Sequence, residues 1–211
     1  MSDAYFSTTF ADVPIMGILR GQGLERTMLL ANAAWDAGVR ILEVPVQAPE
    51  DLDVLAAVSH EARDRGLDVG AGTIIFADQL TAVKKAGAAF TVAAGFDKEV
   101  ARASVELGLP HIPGAATGTE IQAALSDGFV WLKAFPAERL GPQWIRHQHG
   151  PFPHVRFIAT GGVTPETMSS FLDAGCRVVA LGSAFDTEEQ IAKVSELISS
   201  NVRPSVESAR L

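Results

Sequence analysis

Cysteine is nearly missing from this chain. Among 211 residues only Cys176 is one, so no internal disulfide can form, and a reducing compartment is the expected setting. Positive charge is also short. Lys and Arg number 17 against 25 Asp and Glu, a net charge of -8, which argues against a nucleic-acid binder or a partner of anionic membranes. An anionic substrate would therefore have to be met by a local cationic pocket. No apolar run approaches the roughly 18 residues needed to cross a bilayer. Met1-Ser2-Asp3-Ala4 has no basic stretch leading into an apolar core, so a secretory signal is not expected and a cytoplasmic location is. What is present is 47% hydrophobic residues, enough for a large core, with no linker or shift in composition. One domain over residues 1–211 is expected, ending in a polar tail from Asn201 to Leu211.

Glycines and short apolar runs alternate with amphipathic segments along the chain. A short polar-aromatic stretch, read as a helix, precedes a first strand at 13–20. Strands are then expected at 39–46, 67–73, 89–93, 110–113, 129–136, 155–159 and 178–181. Helices are expected at about 24–37, 50–65, 77–86, 97–107, 118–127, 140–148, 165–174 and 187–199. Most of these helices end on a glycine, the residue that accepts the left-handed turn beyond a helix. Helix, glycine, short apolar strand is the signature of successive βα units on a parallel sheet. Eight strands, each followed by a helix, predict a closed α/β (β/α)8 TIM barrel rather than an open sheet.

In such a barrel the chemistry gathers at the C-terminal ends of the strands. Those ends read Arg20, Glu43, Gly72-Thr73, Ala94-Gly95, Gly114, Lys133, Gly161-Gly162 and Gly182-Ser183. The segment Phe129-Val130-Trp131-Leu132-Lys133-Ala134-Phe135-Pro136 is a buried strand by composition, with one amine near its end. Lysine is rarely buried unless paired or put to use, and the bland alternative is an ammonium that reaches back to water. Alternation places Trp131 and Phe135 on the face of Lys133 as an apolar wall, which favours the free amine that Schiff-base chemistry requires. Glu43 is the only acid in its strand. It is either the ion-pair partner of Lys133 or a proton shuttle for it. Gly161-Gly162 and Gly182-Ser183 fall in the last two βα turns, where backbone N–H groups of barrels close round a phosphate. Arg20 suits a substrate carboxylate, or else is a solvated loop arginine. His147, His149 and His154 cluster below the seventh strand without a second ligand group, so no metal is expected. Cys176 begins a strand at the opposite face and reads as core.

The chain resembles the 2-keto-3-deoxy-6-phosphogluconate / 4-hydroxy-2-oxoglutarate aldolase family of class I aldolases. The resemblance rests on Leu19-Arg20-Gly21, Leu42-Glu43-Val44-Pro45, Gly70-Ala71-Gly72-Thr73, Ile112-Pro113-Gly114, Leu132-Lys133-Ala134-Phe135-Pro136-Ala137-Glu138, Thr160-Gly161-Gly162-Val163 and Leu181-Gly182-Ser183, in this order. It implies an aldehyde-lyase in which Lys133 forms the Schiff base and Glu43 is the acid/base. It also implies that Gly161, Gly162 and Ser183 bind the phosphate, with Thr73 and Thr160 near the substrate. Phe135 and Gln47 join the substrate-facing set, and Gly182 the phosphate loop. The implied reaction releases pyruvate and glyceraldehyde 3-phosphate from a phosphorylated keto acid, in a homotrimer without cofactor. Gln47 stands near where the phosphogluconate branch usually has an arginine, and with Arg20 it resembles the phosphogalactonate branch. Ala93-Ala94-Gly95 also departs from relatives that carry a proline there. The alternatives are a 4-hydroxy-2-oxoglutarate aldolase, or a phosphosugar isomerase or synthase barrel without imine chemistry.

Overall fold

A computed structural model describes residues 2–200; the polar tail from Asn201 to Leu211 lies outside the described residues. The strands are β1 (Ile15–Ile18), β2 (Ile41–Pro45), β3 (Asp68–Gly72), β4 (Phe90–Val92), β5 (His111–Ile112), β6 (Gly114–Ala115), β7 (Trp131–Ala134), β8 (Arg156–Thr160) and β9 (Val178–Leu181). The helices are α1 (Ser2–Thr9), α2 (Leu24–Asp36), α3 (Asp51–Asp64), α4 (Gln79–Lys85), α5 (Lys98–Glu106), α6 (Gly118–Ser126), α7 (Ala137–His149), α8 (Met168–Asp173) and α9 (Glu188–Ser199). All pairings are parallel, in the order β5-β4-β3-β2-β1-β9-β8-β7-β6. The two ends of that order, β5 and β6, are separated in the chain by Pro113 alone, so the sheet closes on itself as a (β/α)8 barrel. β5 falls within the expected fifth strand, 110–113, and β6 continues it beyond the expected end. The break is Pro113, which has no N–H to give to a ladder. Its carbonyl still accepts from Lys133 N at 2.8 Å, and Gly114 N donates to Gly95 O at 3.0 Å.

Local chemistry fixes the helix ends. Thr117 Oγ1 accepts from Glu120 N, and the Glu120 carboxylate accepts from Thr117 N, a reciprocal cap at the start of α6. Asp97 caps α5 by accepting from Val100 N at 2.9 Å. The expected left-handed glycines follow the helices, as at Gly66 (φ 68°) and Gly108 (φ 78°). Two helices differ from expectation. α7 begins at Ala137, directly after Pro136, and breaks at Gly141 (φ 76°) before Pro142. α8 begins at Met168 rather than 165, because a turn over 164–167 precedes it, with Thr167 N donating to Thr164 O at 3.1 Å.

Alternation along the strands builds two cores. Ile15, Leu42, Val69, Phe157 and Val179 face the helices. Met16, Ile41, Phe90, Val92, Ile112, Trp131, Ile158 and Val178 fill the barrel. α1 plugs the N-terminal mouth. Its Phe6 is fully buried, with ring centroids 5.6 Å from Phe90 and 6.0 Å from Trp131. Trp131 Nε1 donates to Asp3 Oδ1 at 3.0 Å, and Asp3 also pairs with Arg156. Tyr5 donates to Asp68 Oδ2 at 2.7 Å, and burial, helped by that carboxylate, pushes its phenol well up. Among the described residues no helix is long and apolar enough to cross a membrane.

Outside the barrel wall, beneath α5, a polar cluster is enclosed. Thr91 Oγ1 lies 2.6 Å from Ser104 Oγ and 2.8 Å from His111 Nδ1, while His111 Nε2 has no partner. Burial lowers the His111 pKa from 6.5 to about 4. The unfolded chain therefore takes up this proton first as the pH falls. The stabilising contribution is complete above pH 6.5 and is lost between pH 6.5 and about 4. Equilibrium unfolding across that window should lose about 3 kcal/mol through this residue. In His111→Phe that loss should vanish; an unchanged pH slope would refute the assignment.

Candidate active site

Lys133 and Glu43 meet inside the barrel near its C-terminal end. Lys133 follows Trp131 on the inward face of β7, and its side chain is 5% exposed. Glu43 follows Ile41 on the inward face of β2 and is completely buried. Nζ and Oε1 stand 3.9 Å apart, and neither Glu43 oxygen has a hydrogen-bond partner. A buried carboxylate is costly unless a cation is close, and Lys133 is the close basic group. The amine and the carboxylate thus face each other with no other protein group bonded to the carboxylate oxygens.

The phenyl ring of Phe135 lies 5.2 Å from Nζ and walls the amine. Trp131 shares the inward face, but its ring packs lower, on Phe6 and Phe10, so it serves the plug and Phe135 the amine. The expected pair of walls is therefore one wall. Phe135 rests in turn on the β8–α8 loop. A Cβ on Gly161 would sit 3.0 Å from Phe135 Cε2, and one on Gly162 would sit 2.5 Å from Glu138 Cβ. Both glycines are left-handed (φ 94° and 74°), and Glu138 N donates to Gly161 O at 2.9 Å. Gly182 has ordinary φ and open space around it; Ser183 opens a 3₁₀ turn to Phe185 after β9. Thr160 ends β8 two residues after Ile158 on the inward face, 3% exposed.

Arg20 and Gln47 lie at the exposed rim, joined by a 2.9 Å hydrogen bond from Arg20 Nη1 to Gln47 Oε1. Asp51 fixes the backbone beneath Gln47, accepting from Gln47 N and Ala48 N. Thr73 carries the one positive φ (60°) of a non-glycine among the described residues, a strained conformation of the kind that gathers at functional sites. Gln79 was not anticipated from sequence. Its Oε1 accepts from Ile75 N at 2.8 Å and Phe76 N at 2.9 Å, pinning the loop that carries Thr73. No local pattern marks such a clamp. The His cluster is structural where it is seen: His149 Nε2 lies 3.2 Å from Gly175 O, and its ring is edge-on to Phe157. Cys176 is fully buried two residues before β9, and burial pushes its thiol well up.

Two surface clefts lie apart from this pair. One of about 630 Å³ runs between α2 and α9 at Ala33, Ala37, Ile191 and Ser195. Another of about 330 Å³ lies between Val46–Pro49 and α4. Neither is lined by a buried charged side chain, in contrast to the pair inside the barrel. Lys133→Met strands the Glu43 charge and should destabilise the fold by about 3–5 kcal/mol in urea unfolding. Replacing both residues, Lys133→Met with Glu43→Leu, should recover most of that loss. Equal stability of the single and double variants would exclude the pairing.

The chain was compared with known proteins. A family profile described as KDPG and KHG aldolase matches residues 7–197. The 2-dehydro-3-deoxy-6-phosphogalactonate aldolase of Escherichia coli K12 is 35% identical over 172 residues, 81% of this chain and 83% of that protein. Among solved structures, the KDPG aldolase of Legionella pneumophila, with pyruvate captured at low pH as a covalent carbinolamine, superposes with TM-score 0.80. It is 28% identical and covers 92% of this chain and 97% of its own. A cube-shaped cage made by fusing symmetric oligomeric domains also superposes with TM-score 0.80, at 32% identity, over 89% of this chain and 71% of its own. On this match, nearly end to end and carried by a fold of the same kind, the chain belongs to the KDPG and KHG aldolase family.

Proposed function

We propose that this aldolase works through a Schiff base on Lys133, with Glu43 as proton carrier. Its substrate is a 2-keto-3-deoxy-6-phospho sugar acid of the phosphogalactonate or phosphogluconate type. The observation that carries the reading is the buried pair 3.9 Å apart, with both carboxylate oxygens free of other partners. Lys133 Nζ attacks the keto carbon, and the resulting carbinolamine loses water to a protonated imine, Glu43 moving the protons. Glu43 then takes the proton of the C4 hydroxyl. The C3–C4 bond breaks, its electrons pass into the imine to give an enamine, and glyceraldehyde 3-phosphate leaves. Protonation at C3 and hydrolysis return the amine and release pyruvate. The imine is the electron sink, so the scheme calls for no metal or other cofactor. The carbinolamine captured in the Legionella pneumophila enzyme is the first covalent species of such a sequence.

Binding roles follow from position. Gly161 and Gly162 present left-handed backbone beside Phe135, and with Gly182 and Ser183 they form the phosphate cradle of the proposal. Thr160, at the end of β8, and Thr73, just after β3 on the other side of the barrel, complete the substrate-facing set of the proposal. Arg20, held by Gln47, takes the substrate carboxylate. A homotrimer is part of the proposal, supported by the likeness to a cage built from symmetric oligomeric domains and by the exposed Ile75 and Phe76 beside the site loop. The free, buried Cys176 suits a cytoplasmic setting.

Borohydride reduction in the presence of pyruvate should add one pyruvyl mass to Lys133, read by peptide mass spectrometry. Unmodified Lys133 under turnover conditions would refute the imine. Arg20→Ala removes a charge-assisted hydrogen bond worth about 1.5–3 kcal/mol and should raise KM on the order of 10- to 100-fold with kcat nearly kept. A fall in kcat at constant KM would instead place Arg20 in the chemical step.

A further inference from the structure

Strand β3 leaves its inward side bare above Asp68. Val69 and Ala71 face the helices, so Gly70 and Gly72 are the positions that turn to the interior. A Cβ on Gly70 would fall 2.7 Å from Cδ2 of Phe90 and nearer still to the far side of that ring. A Cβ on Gly72 would fall 2.7 Å from Cγ and 2.6 Å from Cδ of Glu43, and nearer still to Oε1. One bare position seats an aromatic ring of the lower core. The other seats the whole outer half of the Glu43 side chain.

The reason for glycine at 72 is steric and has a single source. Gly72 is absent from the glycines with positive φ, so its backbone accepts any L residue. It lies within the ladder, in register with Pro45, and its carbonyl accepts from Val46 N at 2.9 Å. The three atoms nearest a Cβ at this position all belong to Glu43. An alanine in a strand is ordinarily preferred to glycine, so glycine here gives up local stability for that space. What the space provides is orientation without hydrogen bonds. A carboxylate fixed by donors has its lone pairs committed to them; one fixed by packing keeps them free for a proton. Glu43 is of the second kind, since among the described residues no protein donor bonds either oxygen.

We propose that Gly72 is a positioning residue of the aldol reaction, holding the Glu43 carboxylate against the bare face of β3 at its distance from Lys133. This rests on the reading of Lys133 and Glu43 as the reacting pair. The contact lies next to Thr73, whose left-handed backbone turns the chain away directly after the seat, and Gln79 pins the loop beyond. The seat, the strained residue and the clamp are thus one continuous support for a single side chain.

The test is a cycle of Gly72→Ala, Glu43→Ala and the double variant, read by Tm and by pyruvate release from a 2-keto-3-deoxy-6-phospho sugar acid. Gly72→Ala should lower kcat on the order of 100-fold with KM within about threefold, and should lower Tm. In the Glu43→Ala background the clashing atoms are gone. There the same substitution should change the residual rate less than about twofold and leave Tm unchanged or slightly raised. Wild-type kcat in Gly72→Ala, or an equal fall of Tm in both backgrounds, overturns the proposal. Should Gly72→Ala fail to fold, the double variant decides: folding with the Tm of Glu43→Ala supports the seat, and failure to fold overturns it. A wild-type protein that neither releases nor traps pyruvate would overturn the reaction and with it this role. The thermal cycle would still report whether Gly72 seats Glu43.

Discussion

A carboxylate and an amine held 3.9 Å apart in an otherwise apolar interior set the terms for what surrounds them. Each group alone would be expelled toward water, so the barrel has to keep them facing each other while leaving both without rival partners. The strands accomplish this through the backbone. Lys133 N is bonded to Pro113 O and Leu19 N to Glu43 O, so each reactive residue is tied by its main chain and its head group is left free. The lower half of the barrel is closed by Phe6, Phe10, Phe90 and Trp131, which leaves the C-terminal mouth as the open side. The packed plug sits at one end of the strands and the Lys133–Glu43 pair toward the other.

The loops above the pair are interlocked rather than independent. Phe135, beside the amine, lies on Gly161, and Glu138 lies on Gly162 while its N–H bonds Gly161 O. The turn after β7 and the turn after β8 are therefore packed and bonded to each other. Any anion seated on the glycines of β8 would bear, through one aromatic ring, on the surroundings of the amine. On the other side of the barrel, β3 and its loop give Glu43 its seat. Lys133 and Glu43 are thus supported from different strands of the barrel.

Much of this was legible in the chain. The alternation of helix, glycine and apolar strand predicts the barrel because each unit carries its own start and stop chemistry, such as the reciprocal cap at Thr117 and Glu120. The expected fifth strand, 110–113, ends at Pro113, whereas the structure resumes it as β6 beyond that proline, which interrupts the ladder because it has no N–H. Lys133 and Glu43 stood out because a lone charge in an apolar strand demands a reason. Other features left no local trace. Arg20 and Gln47 are exposed loop residues whose hydrogen bond depends on the approach of two different loops. Trp131 and Phe135 share one strand face, and only the packing of α1 against Trp131 assigns the first ring to the plug and leaves the second to the amine.

By itself the sequence determined about where the strands fall, which way their side chains alternate, and that Lys133 and Glu43 stand toward the C-terminal ends of theirs. Periodicity and capping are local, and local chemistry is enough for that. The tertiary structure alone decided the separation of the two groups, the absence of hydrogen bonds to the carboxylate, and the use of Gly72 as its seat. Those depend on the stagger between β2, β3 and β7 and on which atoms fill the space between strands. Distant parts of the chain set such quantities together when they pack, and no pattern within one segment encodes them.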